Sequence, residues 1–151
     1  MIFKIINFVL FQAAWFVCVL GASYNRTYLA LTLSLIILFL HFAIIKNRML
    51  ELKLIIIAGF IGLLFDGALL NLDLIIYNDA GLPYPFTPIW IVMLWMIFAM
   101  TLNHSLAWLS QKIYISILFG AIGGPLAYIA GEKLGAITLL STNSIITLSI
   151  G

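Results

Sequence analysis

Long apolar stretches, each broken by a few polar or turn-forming residues, make up almost the whole chain. The first runs from about 5 to 22 and gives way to the polar turn Ser23-Tyr24-Asn25-Arg26. The second, about 27–45, ends at Lys46-Asn47-Arg48 and Glu51-Leu52-Lys53, the most charged stretch of the protein. The third, about 54–76, leads into a loop with Asn78-Asp79-Ala80-Gly81 and Pro83, Pro85 and Pro88. Thr87-Pro88 makes a good helix start, because threonine caps free N–H groups and proline suits the first helical position. The fourth segment then runs over about 88–109 and the fifth over about 113–131, where Glu132-Lys133 marks its end. The last, 134–150, is rich in hydroxyls. Its length of about 25 Å, at 1.5 Å per residue, barely spans a bilayer core of about 30 Å.

This pattern predicts an all-α polytopic membrane protein, a bundle of six transmembrane helices with short loops, or five if the last segment does not cross. Composition agrees: 65% of the residues are hydrophobic and 8% charged, with a mean hydropathy of +1.23. Soluble domains are about 45–50% apolar and about 25% charged, so the solvent for this chain is lipid. The whole of 1–151 reads as a single transmembrane domain. Lys4, the following apolar run and Gly21-Ala22-Ser23 roughly fit a secretory signal, but Asn7, Gln12 and Trp15 interrupt the run, and a retained helix is expected.

Charge orients the bundle. With the N-terminus inside, Lys4, Lys46, Arg48, Lys53 and Lys112 fall on the inner side and Arg26 and Lys133 on the outer. That asymmetry follows the positive-inside rule and predicts a cytoplasmic N-terminus. No basic run suggests nucleic acid. The expected partners are membrane lipids and, through helix packing, other membrane proteins.

Polar groups inside the spans are expensive in lipid and therefore informative. Asp66 falls near mid-bilayer in the third segment. Asp73, seven residues on, would share its helical face, and Gly59 and Gly62 continue that stripe. Asn103, His104 and Gln12 fall at about one depth, roughly 12 Å from the inner surface, and could form a buried polar layer with Asp66 above it. An Asp66–His104 pair would hold a shared proton; the competing reading is ordinary interhelical hydrogen bonding. Tyr128 and Glu132 are secondary candidates, as is Asp73. In the fifth segment Gly120 and Gly124 form a small-xxx-small pair that favours close helix packing, and Pro125 should disturb the helix. With two histidines, His41 and His104, no ligand-spaced motif and a lone buried Cys18, no metal site and no cofactor are expected. No nucleophile–base constellation is visible either, so an enzyme is not favoured.

Three stretches carry a resemblance. They are Asn7-Phe8 with Gln12, Trp15-Phe16 and Cys18 to Ala22; Pro88-Ile89-Trp90 with Trp95 and Thr101 to Leu109; and Gly120-Ala121 through Gly123-Gly124-Pro125-Leu126-Ala127-Tyr128 to Gly135-Ala136. Together they resemble a family of small proteobacterial inner-membrane proteins of unknown function. The resemblance implies a lipid setting, because genes of that family often neighbour enzymes like cyclopropane-fatty-acid synthase. It supplies no catalytic residue. The chain departs from the family pattern between Ser141 and Ser144, where a more apolar, Trp-bearing helix is expected. Three functions then compete: an accessory factor in membrane-lipid modification or handling, a small proton-coupled transporter or channel using Asp66 and His104, and a structural subunit assembling through Gly120 and Gly124.

Overall fold

The computed structural model describes residues 2–78 and 86–140. These residues form α1 (Ile2–Ser23), α2 (Thr27–Ile44), α3 (Arg48–Asn71), β1 (Ile75–Tyr77), α4 (Ile89–Leu102), a 3-10 turn (Ala107–Leu109), α5 (Ile113–Lys133) and β2 (Ile137–Leu139). α1, α2, α3 and α5 are each long and apolar enough to cross a membrane. Large apolar side chains such as Ile5, Phe8, Phe39, Phe60, Leu64 and Phe119 point outward all around the bundle. Such a belt suits acyl chains and no aqueous solvent. The chain is an integral membrane protein with an all-α membrane fold.

Buried stripes follow helical spacing. In α1 they are Ala14, Cys18 and Ala22, and in α2 Thr27, Ala30, Ser34, Leu38 and His41. The small residues let the two helices approach: a Cβ on Gly21 would overlap that of Ala30, and Cys18 Sγ lies 3.1 Å from Ser34 Oγ. α4 is the central helix, packed against α1, α2 and α3 and burying Trp90, Ile91, Met93, Ile97, Ala99, Met100 and Thr101. Its closest neighbour is α3, where a side chain at Gly59 would press on Met96 and one at Gly62 would overlap the Trp95 ring. The buried stripe of α3 runs Glu51, Ile55, Ala58, Gly59, Gly62, Asp66 and Leu69. It therefore carries two carboxyls on one face, fifteen residues apart, or about 22 Å at 1.5 Å per residue.

Four boundaries differ from the sequence reading. α3 begins at Arg48, not near residue 54, and ends at Asn71, not near 76. The charged stretch Arg48 to Lys53 consists of good helix formers, and burial of Glu51 against α2 and α4 anchors it. α4 stops at Leu102 instead of continuing to 109. There the Asn7 side chain donates to the Met100 carbonyl (3.1 Å) and accepts from Ser105 Oγ (2.8 Å), satisfying groups that the helix end exposes. The expected sixth helix does not start at 134: residues 137–139 form β2, antiparallel to β1, with Ile75 opposite Leu139 and Tyr77 opposite Ile137. Residues 141–150 of that segment lie outside the described residues.

α1, α3 and α5 end alike, each with two backbone bonds folding back over a residue of left-handed conformation. In α3, Asp73 N–H donates to Leu70 O and Leu74 N–H to Leu69 O; in α5, Gly135 and Ala136 donate to Glu132 O and Gly131 O. Asn25, Asp73 and Gly135 take φ of 54, 54 and 80°. This is the Schellman termination. It accounts for Asp73, which is exposed, lies beyond the end of α3 and shares no helical face with Asp66. Left-handed backbone costs an L-residue about 1–2 kcal/mol, less for Asp and Asn. Asp73→Gly should therefore stabilise the protein by about 0.5–1 kcal/mol, raising a reversible thermal midpoint in detergent by about 1–4 °C. A lower midpoint would show that the Asp73 carboxylate has a further partner.

α5 is the least embedded helix. Only Pro125 and Gly131 of it are buried, and the helix runs on through Pro125. The close packing expected of α5 through its glycines is not seen: among the described residues, nothing lies within 4 Å of a Cβ placed on Gly120 or Gly123, and Gly124 is half-buried. α5 is instead held by β2, by the 3-10 turn and by one tyrosine.

Candidate functional site

The two carboxyls of α3 organise two separate polar networks. Asp66 is fully buried and sits in the half of the bundle that carries the paired strands. Its Oδ1 accepts from Tyr77 OH (2.6 Å) and Tyr128 OH (2.5 Å), and its Oδ2 from Trp95 Nε1 (2.7 Å). One carboxyl thus ties α3 to β1, α4 and α5. Tyr77 reaches it because the ribbon folds back over the end of the bundle, where Asn78 Nδ2 donates to Gly135 O (2.5 Å) and Trp90 Nε1 to Asn78 O (3.2 Å). Burial, and next the neighbouring Asp66 carboxylate, push the Tyr77 phenol well above its ordinary range. Glu132 serves the same ribbon: its Oε1 accepts the Leu139 N–H at 2.8 Å. Three donors fill this carboxyl, and short bonds of this kind fix geometry. The Asp66 site has the chemistry of a clamp.

The other network lies at the opposite end, where α2 ends, α3 begins and α4 ends. Glu51 is buried there. Its Oε1 lies 3.0 Å from His41 Nε2, in hydrogen-bonding geometry, and its Oε2 accepts from Asn103 Nδ2 at 3.0 Å. His104 Nε2 comes within 3.2 Å of the same Oε1. It is nonetheless a buried nitrogen without a hydrogen bond among the described residues, because its direction is wrong for one. The two imidazoles stand edge to face at 5.1 Å, and Phe3 packs edge-on against His104 at 5.2 Å. The α2–α3 hairpin explains the His41–Glu51 pair. His41 stands three residues before the end of α2 and Glu51 three after the start of α3, so both reach the same depth.

A cavity of about 520 Å³ opens beside this second network. Phe3, Ile44, Ile45 and Leu50 give it apolar walls; Lys46 and Asn47 stand at its edge; Glu51, Asn103 and His104 form its polar side. α3 starts here without a side-chain cap, so its first N–H groups also face this region.

The predicted site residues are therefore divided. Asn103 and His104 do come together, on Glu51. Asp66 belongs to the other network, about 22 Å away along α3, with Tyr128 as its partner. The expected Asp66–His104 pair does not form. Gln12 is exposed on α1 and belongs to neither network. His41, Glu51, Tyr77 and Trp95 were not among the candidates.

The model of one protein family, described as a protein of unknown function (DUF2878), matches residues 4–151. The chain belongs to that family. No curated protein and no solved structure matches it. The match covers nearly the whole chain, including both carboxyl networks and every lining residue of the cavity except Phe3. It assigns no chemistry to them.

Proposed function

We propose that the protein handles a membrane lipid at the cavity beside Glu51, as an accessory factor in lipid modification or transfer. The observation that carries this reading is the cavity's division. Apolar walls from Phe3, Ile44 and Leu50 suit the start of an acyl chain. Lys46 and the uncapped N-terminus of α3 suit an anionic headgroup. Lys4, Lys46, Arg48, Lys53 and Lys112 all belong to this end by their chain positions. On the positive-inside rule that end faces the cytoplasm, which makes the lipids concerned those of the cytoplasmic leaflet of a bacterial inner membrane.

The test compares the lipid profile of a deletion strain with strains complemented by wild type or by Leu50→Trp. Leu50 is exposed at the cavity wall, so tryptophan fills the space without disturbing the core. Deletion should change the lipid profile, and Leu50→Trp should leave about a tenth or less of the complementing activity, a change of about 1.4 kcal/mol, at normal membrane abundance. An unchanged profile on deletion would end the lipid reading.

A structural subunit is the second reading. The face of α5 at Gly120 and Gly123, open among the described residues, favours it, since small residues allow another helix to approach. A proton-coupled path through Asp66 and His104 is less supported, because the two side chains sit in different networks.

A further inference from the structure

The lipid reading leaves unexplained why two imidazoles converge on one oxygen of a buried carboxylate. His41 Nε2 and His104 Nε2 lie 3.0 and 3.2 Å from Glu51 Oε1, and a ligand atom from each residue lies within 4.8 Å of the others. Hydrogen bonding accounts for only one of these approaches: His41 is bonded, whereas the buried His104 nitrogen is not. A pair of nitrogens and a carboxylate oxygen at such spacings resembles the edges of a coordination tetrahedron. Metal–ligand bonds of 2.0–2.1 Å place neighbouring donor atoms about 3.3 Å apart.

We propose that His41, Glu51 and His104 form a binding site for a divalent transition-metal ion of the zinc class. The donor set of two histidines and one carboxylate is typical of sites that keep a position open for water or substrate. Glu51 and His104 both border the cavity, so the open position has a place to face. Asn103 supplies the outer support such ligands need, donating from Nδ2 to Glu51 Oε2. The nitrogen-rich set argues against calcium or magnesium, which take oxygen ligands. The geometry also explains how a metal site escapes a search by motif: its ligands come from α2, the first turn of α3 and the residues just past α4, with no short spacing among them.

This inference stands independently of the lipid reading, and its test measures the ion alone. The full chain, purified in detergent with a tag free of histidine, is stripped with a chelator and titrated with Co²⁺, then with Zn²⁺. His41 and His104 are the only two histidines in the chain, and the thiol of Cys18 is buried against Ser34. Imidazole-bound Co²⁺ can therefore arise at this cluster alone. Visible bands of low-symmetry Co²⁺ should appear, saturate near about one equivalent per chain and vanish as Zn²⁺ displaces it. Glu51→Gln and His104→Gln should each weaken binding by more than the about 10–100-fold expected for Asn103→Ala. Zn²⁺ should also raise the melting temperature of wild type and not of Glu51→Gln. Wild type that elutes as a folded species yet shows no Co²⁺ bands and no Zn²⁺-dependent melting shift overturns the site. So does equal binding by wild type and Glu51→Gln. Neither result touches the lipid profile of the deletion strain, so the two proposals fail separately.

Discussion

Asp66→Leu should fail to accumulate in the membrane, whereas Asp66→Asn should insert and fold. Leucine fills a similar volume but strands Tyr77 OH, Tyr128 OH and Trp95 Nε1, all of which donate to Asp66. Each buried donor without a partner costs about 1–3 kcal/mol, so the total of about 3–9 kcal/mol rivals a typical stability of about 5–15 kcal/mol. Asparagine keeps one acceptor oxygen for the two phenols and turns its amide toward the Trp95 N–H, a single mismatch of about 1–3 kcal/mol. Membrane abundance by immunoblot and melting in detergent separate the two variants. If Asp66 is a clamp only, Asp66→Asn should also complement the deletion strain's lipid profile. Normal abundance with lost complementation would move Asp66 from the clamp to the working site, and normal abundance of Asp66→Leu would remove the clamp.

Trp90→Ala should be nearly as damaging. Trp90 is 1% exposed, packs edge-on to Tyr77 at 6.1 Å and donates to Asn78 O. Loss of a buried tryptophan costs about 3–5 kcal/mol through lost burial and the void that remains. The damage should spread, because Trp90 supports the strand that carries Tyr77 to Asp66. Combining Trp90→Ala with Tyr77→Phe should cost less than the sum of the two, since the first change already loosens the second residue. Strict additivity in a double-mutant cycle would show that the ribbon and the Asp66 clamp are independent.

The helices were readable because a lipid-embedded span needs a long apolar run, and little else produces one. Asp66 stood out for the complementary reason, an ionisable group where ions are costly. Of its partners only Tyr128 was a candidate; Tyr77 read as the start of a loop, because Leu74 to Ile76 and Ile137 to Leu139 read as continuations of apolar spans. Runs this short do not separate strand from buried helix by periodicity; β-branched Ile75, Ile76, Ile137 and Thr138 were the available hint. Glu51 was hidden by company: flanked by Lys46, Arg48 and Lys53, it looked like part of a solvated loop. The signal that could have found it was hairpin depth, since His41 and Glu51 are equally far from the bend between α2 and α3. His104 was noticed and then given the wrong partner, because depth was counted along a fourth helix assumed unbroken to 109, whereas α4 ends at Leu102.

The two-stranded ribbon also restricts how the chain can vary in length. Alternate residues of a strand face opposite sides, so shifting the pairing by one turns every side chain over. Between Lys133 and Ile137 three residues close α5, with Gly135 at the left-handed position, and deliver Ile137 opposite Tyr77. One residue more or fewer there would either unmake the Schellman closure or rotate Ile137 outward and Thr138 inward. Substitutions at Leu134, which is half-buried, should thus be easier to accommodate than any single-residue insertion between Lys133 and Ile137.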